Sequence, residues 1–248
     1  ENEQMLTIKD LNLTLGHKQV LSDINLEIPV EGEIIGIMGP NGAGKSSLLK
    51  SIIGEFHATG EVKLNGKDTT SQLKSITYIP QKAQIDLDFP ISVEDVIISG
   101  AYKDIGWFKF VKSNTKQKLT ELLDTLKLTS LRHNQISELS GGQLQRVLIA
   151  RALMSESDVY FLDEPFVGID FQSEQLIIQQ LQALKAQNKL MLIVHHDLSK
   201  ASEYFDRIIL LNKTVRYFGD SQEAVESDKL NKTFLTNPND SESNIESV

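Results

Sequence analysis

Cysteine is absent from the 248 residues of the sequence. A chain without thiols can build no disulfide framework and no thiolate zinc site, and it cannot use a cysteine nucleophile. The absence is consistent with a reducing compartment such as the cytoplasm. Its stability must come from an apolar core, and a chain of this length is long enough to bury one.

An excess of basic residues is missing as well. The 25 Lys and Arg residues stand against 34 Asp and Glu residues, a formal net charge of −9. Because nucleic-acid binders carry a clustered basic excess, we expect no nucleic-acid partner. No apolar run approaches the roughly 18 residues of a membrane-spanning helix, and the polar residues 1–4 do not fit a signal peptide. We therefore expect a soluble protein that serves a membrane only from its surface.

The apolar residues that are present alternate between strand and helix spacing. Strand spacing and short apolar runs predict β-strands at 5–15, 20–28, 34–38, 61–64, 76–79, 159–162, 190–194 and 208–211. Spacings of three and four predict α-helices at 45–53, 93–99, 115–128, 143–154 and 172–186. Continuous apolar strands are typical of a parallel sheet buried on both faces. The order predicts an α/β fold with a mostly helical segment, about 84–156, inserted into it.

A glycine-rich segment lies between a predicted strand and a predicted helix. It reads Gly39, Pro40, Asn41, Gly42, Ala43, Gly44, Lys45, Ser46, followed by Ser47. This spacing is that of the phosphate-binding loop, in which backbone N–H groups converge on phosphate oxygens. There Lys45 would reach the β- and γ-phosphates, and the Ser46 hydroxyl would ligate Mg²⁺. The alternative is a chance glycine turn, expected in about one such chain in a hundred before the strand–loop–helix context is required.

Two carboxylates end a later apolar strand. Asp163 and Glu164 follow the run at 159–162, and ligands of α/β sheets bind at the carboxyl ends of strands. Asp163 would hold Mg²⁺ or its water, and Glu164 would orient or deprotonate an attacking water. The alternative is a solvated turn, since Asp-Glu-Pro is common in loops.

Twenty residues before Asp163 the chain reads Leu139, Ser140, Gly141, Gly142, Gln143, followed by a predicted helix. This resembles the signature sequence of ATP-binding-cassette (ABC) ATPases. Gln81 looks like that family's Q-loop glutamine, and the resemblance implies that it is a catalytic residue and holds Mg²⁺ together with Ser46 and Asp163. The segment 168–170 with Asp170 looks like the family's D-loop. His196 looks like its switch histidine, which implies a contact with the γ-phosphate. By themselves, Ser140 and the glycine pair could be no more than a helix N-cap.

The resemblance covers about residues 5–220 and implies a fold, a reaction and partners. The fold is an α/β P-loop NTPase core with an N-terminal antiparallel β subdomain and an inserted helical subdomain. The implied domain is 1–235, and the Asn-, Ser- and Glu-rich tail 236–248 is predicted to be disordered. Two chains of this family pair head to tail and hold each ATP between one phosphate loop and the partner's signature turn. Catalysis then requires a homodimer, with ATP and Mg²⁺ as cofactors.

Several stretches resemble the ATPases of manganese, zinc and iron-chelate importers. They are residues 163–170, 195–197, 204–207, and 93–96 leading to 106–108. This implies an ATPase motor on the cytoplasmic face of the membrane, with permease subunits and an extracytoplasmic metal-binding protein as partners. The alternatives are an importer of another solute, a non-transport ABC ATPase, or a P-loop kinase.

Three features leave an alternative open. The family usually places an aromatic residue near position 15 to stack on adenine, whereas this chain has Leu15, so His17 is an alternative contact. Trp107, Phe108 and Phe110 are either core or a docking patch for a partner. His195, His196 and Asp197 resemble a metal site, but adjacent residues of a strand point to opposite faces, which argues against one shared ion.

Overall fold

The computed structural model of the chain describes residues 3–102 and 113–226. The strands are β1 Met5–Leu15, β2 Lys18–Pro29, β3 Glu33–Met38, β4 Thr59–Leu64, β5 Lys67–Asp68, β6 Ile76–Ile79, β7 Val159–Asp163, β8 Leu190–Val194, β9 Arg207–Asn212 and β10 Thr214–Asp220. The helices are α1 Lys45–Ile52, α2 Val93–Ser99, α3 Ser113–Thr125, α4 Gly141–Met154, α5 Phe171–Ala186, α6 Ala201–Tyr204 and α7 Ser221–Glu226. None of these helices is long and apolar enough to cross a membrane.

The strands form two sheets. The smaller one has the order β2-β1-β4-β5 and is antiparallel throughout. The larger one has the order β10-β9-β3-β8-β7-β6, and its pairs are parallel except for the β9–β10 edge pair. Five parallel strands therefore end at one edge of this sheet, and the segments after β3, β6, β7 and β8 meet there.

Two apolar cores lie on the two faces of the larger sheet. Successive residues of β3 alternate between them: Ile34 and Met38 belong to the core that includes α2, α3, α4 and α5. Ile35 and Ile37 belong to the core shared with α1 and the smaller sheet. All six residues of β3 are buried, which explains its continuous apolar sequence.

The fold class predicted from the sequence is confirmed, and each predicted strand and helix is present. The elements at 5–15, 76–79, 93–99 and 190–194 have the predicted limits, and the others have changed limits. Helix α3 ends at Thr125 rather than at 128, because Lys127 takes a positive φ of 54°. Leu126 and Leu128 are nevertheless buried, so their apolar spacing extended the predicted helix too far. The sequence pattern did not predict β5, β10, α6 and α7, because short elements and half-buried edge strands carry little periodicity. Trp107, Phe108, Phe110 and the tail 236–248 lie outside the described residues, and the domain limits stay a prediction.

Candidate nucleotide site

The glycine-rich loop lies between β3 and α1, as its sequence predicts. Gly42 and Gly44 have φ values of 80° and 94°, a region that side chains rarely adopt. A Cβ on Gly39 would lie 1.9 Å from the Leu211 carbonyl oxygen, so only glycine fits there. Gly44 is the N-cap of α1, and among the described residues no side chain caps it. The backbone N–H groups of this helix start are thus available to an anion.

Lys45 is folded back into this loop and is only 7% exposed. Its Nζ donates hydrogen bonds to the carbonyl oxygens of Gly39, at 2.6 Å, and Pro40, at 3.4 Å. Burial lowers the pKa of the ammonium group, while the nearby carboxylates of Glu164 and Asp163 act in the opposite direction. The loop therefore keeps a positive charge close to the two carboxylates at the end of β7.

Asp163 is the meeting point of three segments. It is almost fully buried, and its Oδ1 accepts hydrogen bonds from Ser46 Oγ at 2.8 Å and Gln81 Nε2 at 3.3 Å. Its Oδ2 accepts one from the Tyr78 hydroxyl at 3.3 Å. Burial and the Asp163 carboxylate raise the pKa of Tyr78, so that the phenol stays a donor. The structure thus brings together all three residues that the sequence assigned to Mg²⁺, and it adds Tyr78.

This donor set fits Mg²⁺. The ion prefers oxygen ligands, takes only one or two protein carboxylates and keeps several waters or phosphate oxygens in its shell. Ser46, Asp163 and Gln81 offer a hydroxyl, a carboxylate and an amide within one hydrogen-bonded group. Among the described residues there is no group of three or more His, Cys, Asp or Glu side chains that could form a cage for a metal.

Glu164 and His196 face each other beside this group. His196 Nδ1 lies 3.6 Å from Glu164 Oε1, and both side chains are partly exposed. The Glu164 N–H donates to the Val194 carbonyl oxygen at 3.1 Å, which ties the end of β7 to the end of β8. Glu164 has a φ of 49°, a costly value for a residue with a side chain. The strained backbone holds this carboxylate next to the histidine.

The signature turn lies against another part of the same chain. Ser140 caps α4, and Gln143 completes the capping box through the Ser140 N–H. A Cβ on Gly142 would lie 2.1 Å from Asp170 Oδ1, and one on Gly141 would lie 3.0 Å from the Gly168 carbonyl oxygen. The glycine pair is therefore what allows α4 to begin so close to the segment 168–170.

Asp170 in turn caps α5 and is fixed by its neighbours. It accepts hydrogen bonds from the Ser173 hydroxyl, at 2.7 Å, and the Ser173 N–H, at 3.1 Å, and these bonds lower the pKa of its carboxyl group. Arg146 Nε donates to Ser173 Oγ at 3.0 Å, and Lys82 Nζ donates to the Val167 carbonyl oxygen at 2.7 Å. Sequence analysis missed these three partners, although Lys82 directly follows Gln81.

The other predicted contacts are more open. Leu15 is 39% exposed at the end of β1, and His17 lies in the exposed turn that follows. His195 is buried, whereas His196 is half exposed.

Three features together define an ATP-binding cassette. They are the phosphate loop at the end of the parallel sheet, the buried Asp163, and the signature turn at the start of α4. The chain belongs to the ABC transporter family, whose pattern it matches over residues 21–167. This confirms the family that the motifs indicated.

Two relatives that align over most of the chain are named for metal transport. The chain is 43% identical to the manganese transport system ATP-binding protein MntB of Halalkalibacterium halodurans, over 94% of this chain and 93% of the relative. It is 45% identical to the zinc transport system ATP-binding protein TroB of Treponema pallidum, over 84% of this chain and 78% of the relative.

Solved structures agree. A metal-chelate type ABC transporter in an inward-facing conformation matches with a TM-score of 0.78 at 29% identity, over 93% of this chain and 88% of that one. The ATP-binding subunit of another ABC transporter matches with the same TM-score at 25% identity, over 91% of this chain and 94% of that one.

Proposed function

We propose that this chain is the ATP-hydrolysing subunit of a bacterial ABC importer of manganese, with zinc or iron as the alternative ions. The observation that carries the proposal is the pairing of Glu164 with His196 beside the Ser46–Asp163–Gln81 group. The identity of the ion is supported by relatives named for manganese and zinc transport that align over most of the chain.

In this proposal, the phosphate loop binds ATP, and the residues at the end of β7 activate the water that attacks the γ-phosphate. The N–H groups of residues 39–47 and the Lys45 ammonium bind the phosphates. Ser46, Gln81 and Asp163 hold Mg²⁺, which when bound neutralises developing charge on the phosphates. Glu164 accepts the proton of the attacking water. His196 contacts the γ-phosphate and orients Glu164.

The active form is a head-to-tail homodimer. The signature turn, residues 140–143, lies against the segment of Asp170 through Gly141 and Gly142. The start of α1, with Lys45 and Ser46, lies with Asp163 instead. The two anion-binding helix starts therefore form separate groups. A second copy supplies its signature turn to the phosphates held by the first. Phe171, 72% exposed next to Asp170, offers an apolar contact for that copy.

The membrane partner docks on the segment after Gln81. Leu87, Phe89 and Tyr102 are large apolar residues that are 41–60% exposed. A cavity of about 200 Å³ is lined by Pro80, directly after β6, and by Gly100, directly after α2. A cytoplasmic helix of a permease subunit fits such a surface, and it places this chain on the inner face of the membrane. An extracytoplasmic metal-binding protein delivers the ion to the permease.

Uptake by cells tests the proposal. Cells whose only copy carries Glu164→Gln are expected to lose accumulation of manganese, or of zinc, at submicromolar supply, measured by elemental mass spectrometry. Glu203→Gln is the matched control, because it changes an exposed carboxylate on α6 and should leave uptake normal. If the Glu164 variant has lost hydrolysis but its cells take up these ions normally, the chain does not drive metal import, and an importer of another solute is the remaining interpretation.

The adenine contact gives a second expectation. Leu15 offers no ring for stacking, an interaction worth roughly 1–3 kcal/mol per base. We therefore expect the base to be held weakly, so that the purified chain prefers ATP over GTP by less than about tenfold. Leu15→Tyr should tighten the binding of both nucleotides, since stacking tolerates either base. Competition titrations measure both values. If His17→Ala weakens binding and the wild type strongly prefers ATP, His17 supplies the contact instead.

A further inference from the structure

A cluster of four rings joins the segment that carries Glu164 to the segment that carries His196. We call it the ring cluster: Phe166, His195, Tyr204 and Phe205. The ring of His195 lies at its centre, with centroids 5.8 Å from Phe166, 6.2 Å from Tyr204 and 5.6 Å from Phe205. His195 is only 4% exposed.

The ring cluster is attached to the sheet on one side. The His195 N–H donates to the Ile37 carbonyl oxygen at 3.1 Å, which extends the pairing of β8 with β3 by one residue. Phe205 packs so closely on β3 that a Cβ on Gly36 would lie 2.4 Å from its ring. These two contacts fix His195 and Phe205 relative to the strand that leads into the phosphate loop.

On the other side, the ring cluster contacts the segment of Glu164 and the first turn of α5. Phe166 lies two residues after Glu164 and meets the His195 ring edge-on, with an interplanar angle of 87°. The Tyr204 hydroxyl donates a hydrogen bond to Glu174. Glu174 lies in the first turn of α5, the helix that begins directly after Asp170. The ring of His195 therefore lies between the sheet on one side and, on the other side, the segment of Glu164 and the start of α5.

The contribution of His195 comes from its ring rather than from its Nε2 atom. That atom is buried and has no hydrogen-bond partner among the described residues. Burial also lowers the pKa of the imidazole to about 4, so the group is neutral at pH 7 and carries no proton to the reaction. The neutral ring lies 5.8 Å from the ring of His196.

We propose that His195 is a positioning residue for ATP hydrolysis: its buried ring, held by Phe166, Tyr204 and Phe205, sets the position of Glu164 relative to His196. The inference rests on the proposed function, because it assumes that these two residues act on ATP. It gives the segment after β7 and the segment after β8 a common support.

Steady-state hydrolysis by two variants of His195 tests the proposal. His195→Thr removes the ring but suits the end of a strand, and it should lower kcat about tenfold, as a small displacement of reacting groups does. His195→Phe keeps a ring of similar size and should restore kcat to within about threefold of wild type, with the KM for ATP unchanged in both variants. Phe166→Leu should repeat the loss of kcat, which keeps the test open if His195→Thr does not fold.

Leu64→Ala is the matched control, because it also removes a buried side chain, but one in the smaller sheet rather than in the ring cluster. Its kcat should equal that of the wild type. Wild-type kcat in His195→Thr would overturn the proposal, and so would an equal loss in His195→Phe and His195→Thr. Absence of any hydrolysis by the wild type would instead refute the proposed function. Hydrolysis that Glu164→Gln abolishes and His195→Thr leaves intact would refute only the role of His195.

Discussion

Replacing Glu164 with glutamine is expected to leave ATP binding intact and to slow hydrolysis by about 10²- to 10⁴-fold, the usual contribution of a general base. The amide occupies the same place next to His196 but cannot accept a proton from water. Bound ATP then persists, and the protein should elute as a dimer from a size-exclusion column in MgATP and as a monomer in its absence. Phosphate release measures the rate, and nucleotide titration measures the affinity.

Glu203→Gln provides the control for this experiment, because it removes one negative charge from an exposed side chain paired with Lys200. It should hydrolyse ATP at the wild-type rate. A Glu164 variant that keeps full turnover would show that another group takes the proton. Asp163 is a poor substitute, because its two oxygens already accept hydrogen bonds from Ser46, Gln81 and Tyr78.

The phosphate loop could be predicted from sequence because its chemistry depends on consecutive residues. Glycines at positions 42 and 44 are required by their positive φ values, and the glycine at 39 by its close approach to Leu211. The same holds for Ser140 and Gln143, which cap α4 over three residues. Local rules of backbone geometry are enough for such motifs.

Contacts between distant segments could not be predicted in this way. Tyr78 reaches Asp163 because β6 pairs with β7 in a register that sets Tyr78 opposite Phe161. Arg146 meets Ser173 because α4 packs on α5, 27 residues further along the chain. A single sequence carries no mark of either pairing, since each depends on the strand order and on helix packing.

His195 illustrates the same limit. The sequence shows two adjacent histidines, but it does not show that only the first of them is buried. It does not show that Phe166, Tyr204 and Phe205 surround the first of them, because these three residues and His195 itself come from three segments that only the parallel sheet brings together. The resemblance to known ATPases assigned a role to His196 and left its neighbour without one.

Removal of the Lys45 charge should have a comparably large effect, this time on binding. In Lys45→Ala the phosphates lose a partly desolvated positive partner, and truncating such a charge pair costs about 2–5 kcal/mol. The affinity for MgATP should therefore fall by at least about thirtyfold, and hydrolysis should fall with it. Calorimetric titration with MgATP measures the change.

Lys50→Ala separates this effect from a general loss of charge. Lys50 lies on the same helix and carries the same charge, but it packs over the Phe56 ring, away from the loop carbonyls that hold Lys45. Its removal should leave the affinity unchanged. Lys45→Ala also leaves Asp163 and Glu164 without the cation nearest to them, so thermal unfolding must be recorded beside each titration. A folded Lys45→Ala protein that binds and hydrolyses ATP as the wild type does would refute the phosphate-loop assignment itself, and the hydrogen bond from Lys45 Nζ to the Gly39 oxygen at 2.6 Å would then have only a structural role.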